Sequence, residues 1–281
     1  MEADQSMDNP YPSVAVVGSG TIATGVAAVA STVAERVVLL ARSGDSAERA
    51  KRGVERATGR LGSKPVVEVE VTLERGAIAG SGLVVEAVAE DEGVKAGVLG
   101  LAAEATPEAD LATTTSSLSV AGIAESLGVS RPLIGIHVFN PVTGMDLVEL
   151  CIPEGTPEDV ASRAHRWCLA IGKTPVRVPD TPGFVVNRLL FPYLFEAVRL
   201  MERTGLAPEE VDTCMRLGLG YPMGPLALLD LIGLDVAMAI GGALAADSGN
   251  PEHAPPEAIT ERVGRGDLGR KSGRGFFVYE A

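Results

Sequence analysis

Residues 13–25 read SVAVVGSGTIATG. A short apolar run, 14–17, meets Gly18-Ser19-Gly20, and a helical stretch over 21–32 follows. The order is strand, glycine turn, helix, with GxGxxA spacing. Gly18 permits the tight turn, Gly20 lets the backbone approach a pyrophosphate, and Ala23 keeps the helix close to the sheet. The N-terminus of that helix would face the phosphates. A glycine pattern alone is often only a loop. Between a strand and a helix it predicts a dinucleotide site, with Gly18, Gly20, Thr21 and Ile22 as candidate contacts. It also predicts the fold class: α/β, with a Rossmann-type doubly wound sheet.

Outward from this unit, the next strand is predicted at 37–40. A ribose-binding acid is expected about 20 residues after the glycines. The chain has Ala41 there, followed by Arg42 and Ser43. Without a carboxylate the site lacks a 2′-hydroxyl acceptor and no longer repels a 2′-phosphate, which Arg42 could bind. The cofactor is therefore read as NAD(P), leaning to NADP. A solvated Arg42 beside an NAD site that manages without the acid is the other reading. Helices are predicted at 45–61, 93–105 and 157–171, and strands at 66–72, 83–88, 111–114 and 174–178. For Ser117 or Ser119, helix capping is the expected role. Asp180-Thr181-Pro182-Gly183 punctuates the chain as a hinge. Beyond it the pattern is helical, over 184–203 (with Pro192 expected to kink it) and 207–217. The predicted organisation is a disordered tail at 1–12, an NAD(P)-binding domain at 13–182 and an all-α C-terminal domain at 183–281.

A second informative stretch is 135–150, GIHVFNPVTGMDLVEL. His137 sits in an apolar strand context, Phe139-Asn140-Pro141 breaks the chain, and a second apolar run carries Glu149. Read as strand, turn, strand, it folds Glu149 back beside His137. A carboxylate fixes the imidazole tautomer and stabilises the ring when it takes up a proton. On residues alone, a structural histidine in a strand would be the better reading.

GIHVFNPV and LVEL together resemble the catalytic segment of the 3-hydroxyacyl-CoA dehydrogenases, and matching motifs run from about residue 13 to residue 279. The resemblance implies that His137 is the general acid/base and Glu149 its partner. VVEAVAED and Lys95 resemble the segment around the nicotinamide ribose, with Ala87, Glu90 and Lys95 matching. Ser116, 21 residues before His137, matches a substrate-contacting serine, although Thr114 stands where the family tends to carry Asn. DTPGFVVNRLL implies a place for Asn187 at the interdomain cleft beside His137. GYPMGPLALLDLIGLD and GRKSGRGFF resemble the C-terminal domain, with Lys271, like Asn140, a cofactor contact. The family usually has Asp where Ala41 stands. The implied reaction is reversible hydride transfer at C3 of a 3-hydroxyacyl thioester, by a homodimer joined through the C-terminal helices.

The chain has 281 residues, with hydrophobic ones making up 46% and a net charge of −13. That charge argues against nucleic acid as a partner. Cys151, Cys168 and Cys214 form no CxxC and no metal pattern, as expected of reduced thiols in a cytoplasmic protein. Residues 1–12 have no basic start or apolar run, so no signal peptide is expected. Residues 225–246 read as two buried helices rather than a membrane span, since Asp230, Asp235 and glycines interrupt them.

One segment departs from that acidic balance. Residues 42–64 hold seven basic and three acidic side chains. Arg49, Arg52, Arg56 and Arg60 share one helix face, with Lys51 beside them. A solvated face is the ordinary reading of such a helix. In the family a longer helical arm follows and helps hold the CoA nucleotide; here the chain goes almost directly from Gly62 to the next strand. The basic stripe could receive CoA phosphates, or an acidic acyl carrier protein bearing the substrate. Two rival functions remain: a dehydrogenase of a free hydroxy acid or sugar acid, and a non-catalytic dinucleotide-binding sensor. A sensor has no use for an acid/base pair.

Overall fold

The structure, a computed structural model, describes residues 9–128 and 130–280. It divides into two compact units, the first running to Thr181 and the second starting at Pro182.

In the first unit the apolar runs become strands because their Val, Leu and Ile side chains fill both faces of a covered sheet. They are β1 (Ser13–Val17), β2 (Arg36–Leu40), β3 (Val69–Thr72), β4 (Leu83–Glu86), β5 (Asp110–Thr113), β6 (Leu133–Val138), β7 (Leu147–Cys151) and β8 (Thr174–Val178). The sheet order is β3-β2-β1-β4-β5-β6-β7-β8. Neighbours run parallel except β6 and β7, which are antiparallel. The chain winds outward from β1 to β3 and then returns to the other side of β1. That reversal opens a crevice beyond the C-terminal ends of β1 and β4. Helices α1 (Thr21–Ala30), α2 (Gly44–Thr58), α3 (Glu92–Ala105), α4 (Val120–Leu127) and α5 (Glu158–Ala170) complete the unit. Val14, Val16, Leu39, Leu83, Ile134, Ile136 and Trp167 lie in one buried core.

Several local readings need correction. The third strand starts at Val69, not residue 66, since Val66 and Val67 bond instead to Ser31 O. The extent of helix α4 was not assigned, although Ser119 caps it as expected; Asp180 accepts from its Val120 and Ala121 N–H groups, satisfying first-turn donors. Residues 9–12, assigned to a disordered tail, are anchored. Tyr11 is buried with its hydroxyl bonded to Asp110, and Asn9 Nδ2 donates to Val33 O. Residues 1–8 of that tail lie outside the described residues.

The second unit holds α6 (Val186–Thr204), α7 (Pro208–Leu219), α8 (Pro225–Ile232), α9 (Leu234–Ser248) and α10 (Glu257–Gly264). Its core gathers Phe191, Leu194, Phe195, Val198, Leu229, Leu244 and Ile259. The helix α6 runs through Pro192 as one element. Asp212 caps α8 through the Leu226 and Ala227 N–H groups. Buried Asp230 accepts from Phe276 N, Phe277 N and Tyr279 Oη, fastening the C-terminal segment. Among the described residues no single helix is long and apolar enough to cross a membrane; α8 and α9 meet at 98°.

Candidate active site

The pairing of β6 with β7 sets His137 directly opposite Glu149. Opposed residues of an antiparallel pair project to the same face, so register alone brings the side chains together. His137 Nδ1 lies 2.7 Å from Glu149 Oε2, with the residues 4% and 1% exposed. Neutral imidazole that donates from Nδ1 to this carboxylate keeps its basic lone pair on Nε2. Such a pair can take a proton at Nε2 and hold the resulting cation beside a fixed anion. Phe139 packs edge-on against the ring, with centroids 4.7 Å apart.

A cavity of about 670 Å³ opens at the crevice beyond β1 and β4. Gly18, Gly20, Ala41, Arg42 and Ala87 line it, as does Arg75, which the sequence reading missed. Arg75 belongs to a short turn after β3, where only the end of a neighbouring strand could have flagged it. Gly18 has φ of +141°, and a Cβ there would sit 2.2 Å from Ala87 O. Only glycine allows that approach. Gly20 caps α1 without a side chain, and nothing lies within 4 Å of where its Cβ would be. Uncapped N–H groups of a helix start facing open space suit a pyrophosphate, so the residues fit a dinucleotide.

A second cavity of about 250 Å³ shares Ser19 and Gly20 of the glycine turn with the first. Thr21 and Thr24 of α1, Arg49, Arg56 and Arg60 from the α2 region, and residues 140–143 line it. Thus three of the four arginines on the predicted stripe converge on one pocket, next to the residues that follow β6, the strand carrying His137. Asn140, read above as a cofactor contact, lines this pocket together with Gly20 and Thr21 of the glycine turn.

The nicotinamide-ribose residues fare differently. Lys95 is 1% exposed, and its ammonium lies 3.0 Å from Glu86 Oε1 and 3.2 Å from Glu90 Oε2. An ammonium so deeply buried needs carboxylate partners, and Glu86 and Glu90 supply them. Glu86, a lone charge in an apolar strand, was the missed signal. Glu90 Oε1 accepts from Thr115 Oγ1, Ser116 N, Ser117 N and Ser117 Oγ at 2.7–3.0 Å. Burial pushes the Glu90 carboxyl up, but Lys95 and these donors outweigh it and hold the group below its ordinary range. Ser116 therefore sits in a fixed turn at the end of β5, in the same unit as His137.

In the second unit Asn187 is buried in the first turn of α6. Lys271 pairs with Asp235, with Nζ to Oδ2 at 2.7 Å. Among the described residues no group of three or more His, Cys, Asp or Glu is arranged to hold a metal ion.

Comparison with known proteins bears on both units. Residues 13–181 match the model for the 3-hydroxyacyl-CoA dehydrogenase NAD binding domain, and residues 183–279 match that for the C-terminal domain of the same family. The chain belongs to the 3-hydroxyacyl-CoA dehydrogenase family. The human mitochondrial hydroxyacyl-coenzyme A dehydrogenase is 37% identical, over 95% of this chain and 91% of that protein. A 3-hydroxybutyryl-CoA dehydrogenase of Mycobacterium tuberculosis is 35% identical over 97% of this chain and 100% of its own length. The crystal structure of (S)-3-hydroxybutyryl-CoA dehydrogenase from Ralstonia eutropha superposes with a TM-score of 0.87 at 32% identity, covering 96% of this chain and 100% of that one. The crystal structure of an NAD+-dependent 5-dehydrogenase of a pyridine carboxylic acid gives 0.77 at 31%, covering 96% and 91%. This 3-hydroxyacyl-CoA dehydrogenase family member is thus an oxidoreductase with a dinucleotide cofactor of the NAD(P) type.

Proposed function

We propose that this chain transfers hydride reversibly between a nicotinamide dinucleotide and C3 of a 3-hydroxyacyl thioester, with His137 as the acid/base. The carrying observation is the buried His137–Glu149 pair, opposed by strand register within the fold of this family. In oxidation, neutral His137 accepts the hydroxyl proton and Glu149 stabilises the imidazolium. Ser116 hydrogen-bonds the reacting oxygen. The bound cofactor supplies the hydride acceptor or donor. Family names support a CoA thioester, and the pocket of Arg49, Arg56 and Arg60 suits CoA phosphates. The test is turnover of acetoacetyl-CoA with NADH or NADPH, set against free acetoacetate. Turnover of the free acid alone would replace the thioester with a free hydroxy acid.

Three finer readings go with this. Ala41 in place of the acid, with Arg42 and Arg75 on the cavity wall, supports a preference for NADP. Exposed Arg52 on the outer side of α2 supports docking of an acidic acyl carrier protein as a second way of presenting the thioester. Leu189, Leu217 and Leu219 are 71%, 79% and 61% exposed, which supports a homodimer through the helical unit. Sedimentation at micromolar concentration as a monomer would rule the dimer out. Three free cysteines suit a reducing compartment such as the cytoplasm.

A further inference from the structure

Lys173 is a buried cation outside the proton-transfer pair. It lies between α5 and β8 and is 7% exposed. Its backbone N–H donates to Cys168 O of α5 at 2.9 Å, which fixes the start of the side chain. Its ammonium donates to Met145 O at 2.8 Å, and the next residue, Thr174, donates its N–H to Asp146 O at 2.8 Å. Burial pushes the Lys173 amine below its ordinary range, with Asp146 opposing that shift. Both acceptors belong to the loop 139–146, which joins the strand of His137 to the strand of Glu149.

That loop is otherwise lightly held. Pro141, Gly144, Met145 and Asp146 are exposed, and of the loop residues only Val142 is buried. Val142 lies where a Cβ on Gly25 of α1 would come within 2.7 Å, so helix and loop touch there because Gly25 has no side chain. Gly144 N and Met145 N both donate to Pro141 O, so 141–145 is one turn. One end of it, with Asn140 before it, lines the pocket of Arg49, Arg56 and Arg60; the other end rests on Lys173. A turn with few apolar contacts opens at little cost, so a charge-assisted hydrogen bond carries a large share of its order.

We propose that Lys173 is a positioning residue, which locks the turn 141–145 through Met145 O and so fixes the wall that residues 140–143 give to the arginine pocket. The inference rests on the reading that this pocket takes CoA phosphates. Lys173 does not line the pocket and acts on it through the backbone of the turn. With the turn released, the wall would have to order when the CoA nucleotide arrives. That cost falls on KM rather than on the chemical step.

The experiment compares Lys173→Met and Lys173→Arg with the wild type. It reads kcat and KM for acetoacetyl-CoA and for a short acetoacetyl-pantetheine thioester, and amide hydrogen exchange over 139–146 in the free protein. Lys173→Met keeps the apolar stem and loses the donor. It is expected to raise KM for acetoacetyl-CoA about fivefold and for the pantetheine thioester less than about twofold, with kcat within about twofold. Exchange at Gly144 and Met145 should quicken about tenfold. Lys173→Arg keeps a charged N–H donor and should stay within about twofold of the wild type throughout. Equal KM rises with both substrates would mean general damage and overturn the inference, as would unchanged exchange in Lys173→Met. Charge reversal at Arg49 and Arg56 that affects both substrates alike would instead remove the phosphate reading, while exchange still decides whether Lys173 holds the turn. If Lys173→Met folds poorly, Lys173→Gln, with a shorter, uncharged side chain, carries the same expectation.

Discussion

Residue identity at three positions bears most of the chemistry. Glu149 accepts from His137 Nδ1 and so sets both the tautomer and the energy of the charged ring. Glu149→Gln removes the anion that orients the ring and offsets the imidazolium charge, so turnover should drop about tenfold or more. Unchanged turnover would show that Glu149 does not act on His137 in solution. Arg42 poses a separate question. If the cavity accepts a 2′-phosphate, Arg42→Ala should weaken NADPH binding by about 10–100-fold while NADH changes little, as for loss of one charge-assisted hydrogen bond. Equal effects, or a wild-type preference for NADH, would overturn the NADP reading. The glycine positions were legible because their constraint is steric and local: Gly18 approaches Ala87 O, and no other residue fits. Arg75 and Glu86 were not legible. Arg75 shows its place only across the cavity, and Glu86 shows its role only once Lys95 of α3 and Thr113 of β5 fold onto it.

At the level of elements, strand pairing and helix α2 decide how substrate and acid/base meet. The strand–turn–strand reading of 135–150 could be made because a Pro-centred break between two apolar runs leaves few registers that bury both faces. By contrast, α4 is short and takes its stability from Ser119 and from Asp180, about sixty residues away, so its periodicity carried little signal. The helix α2 was recognisable from its charge spacing, but not that Arg49 and Arg56 face a pocket. Reversal of charge at Arg49 and Arg56 should raise KM for acetoacetyl-CoA about tenfold or more at low salt and less at high salt. A short pantetheine thioester, lacking the nucleotide phosphates, should be barely affected. Equal effects on both substrates would mean that the pocket does not hold phosphates. Reversal at Arg52 alone separates the second reading, since it should impair a carrier-bound substrate far more than the CoA ester.

As a whole molecule, the protein combines a doubly wound sheet, whose crevice suits a dinucleotide, with a helical unit that shares the family of its neighbour in the chain. The fold class could be read from residues 13–25 and the helical pattern beyond Pro182, because apolar periodicity reports layers directly. The anchored residues 9–12 could not, since a polar, proline-flanked segment shows no periodicity and Tyr11 depends on Asp110. The central claim is that a nicotinamide-dependent hydride transfer runs through one acid/base in this framework. The most direct test is turnover of acetoacetyl-CoA by His137→Ala, with binding of the reduced cofactor measured on the same preparation. Turnover should fall by about 10²–10⁴-fold, as for removal of a positioned proton-transfer group, with cofactor affinity unchanged. Near-normal turnover in a folded, cofactor-binding His137→Ala protein would contradict the account.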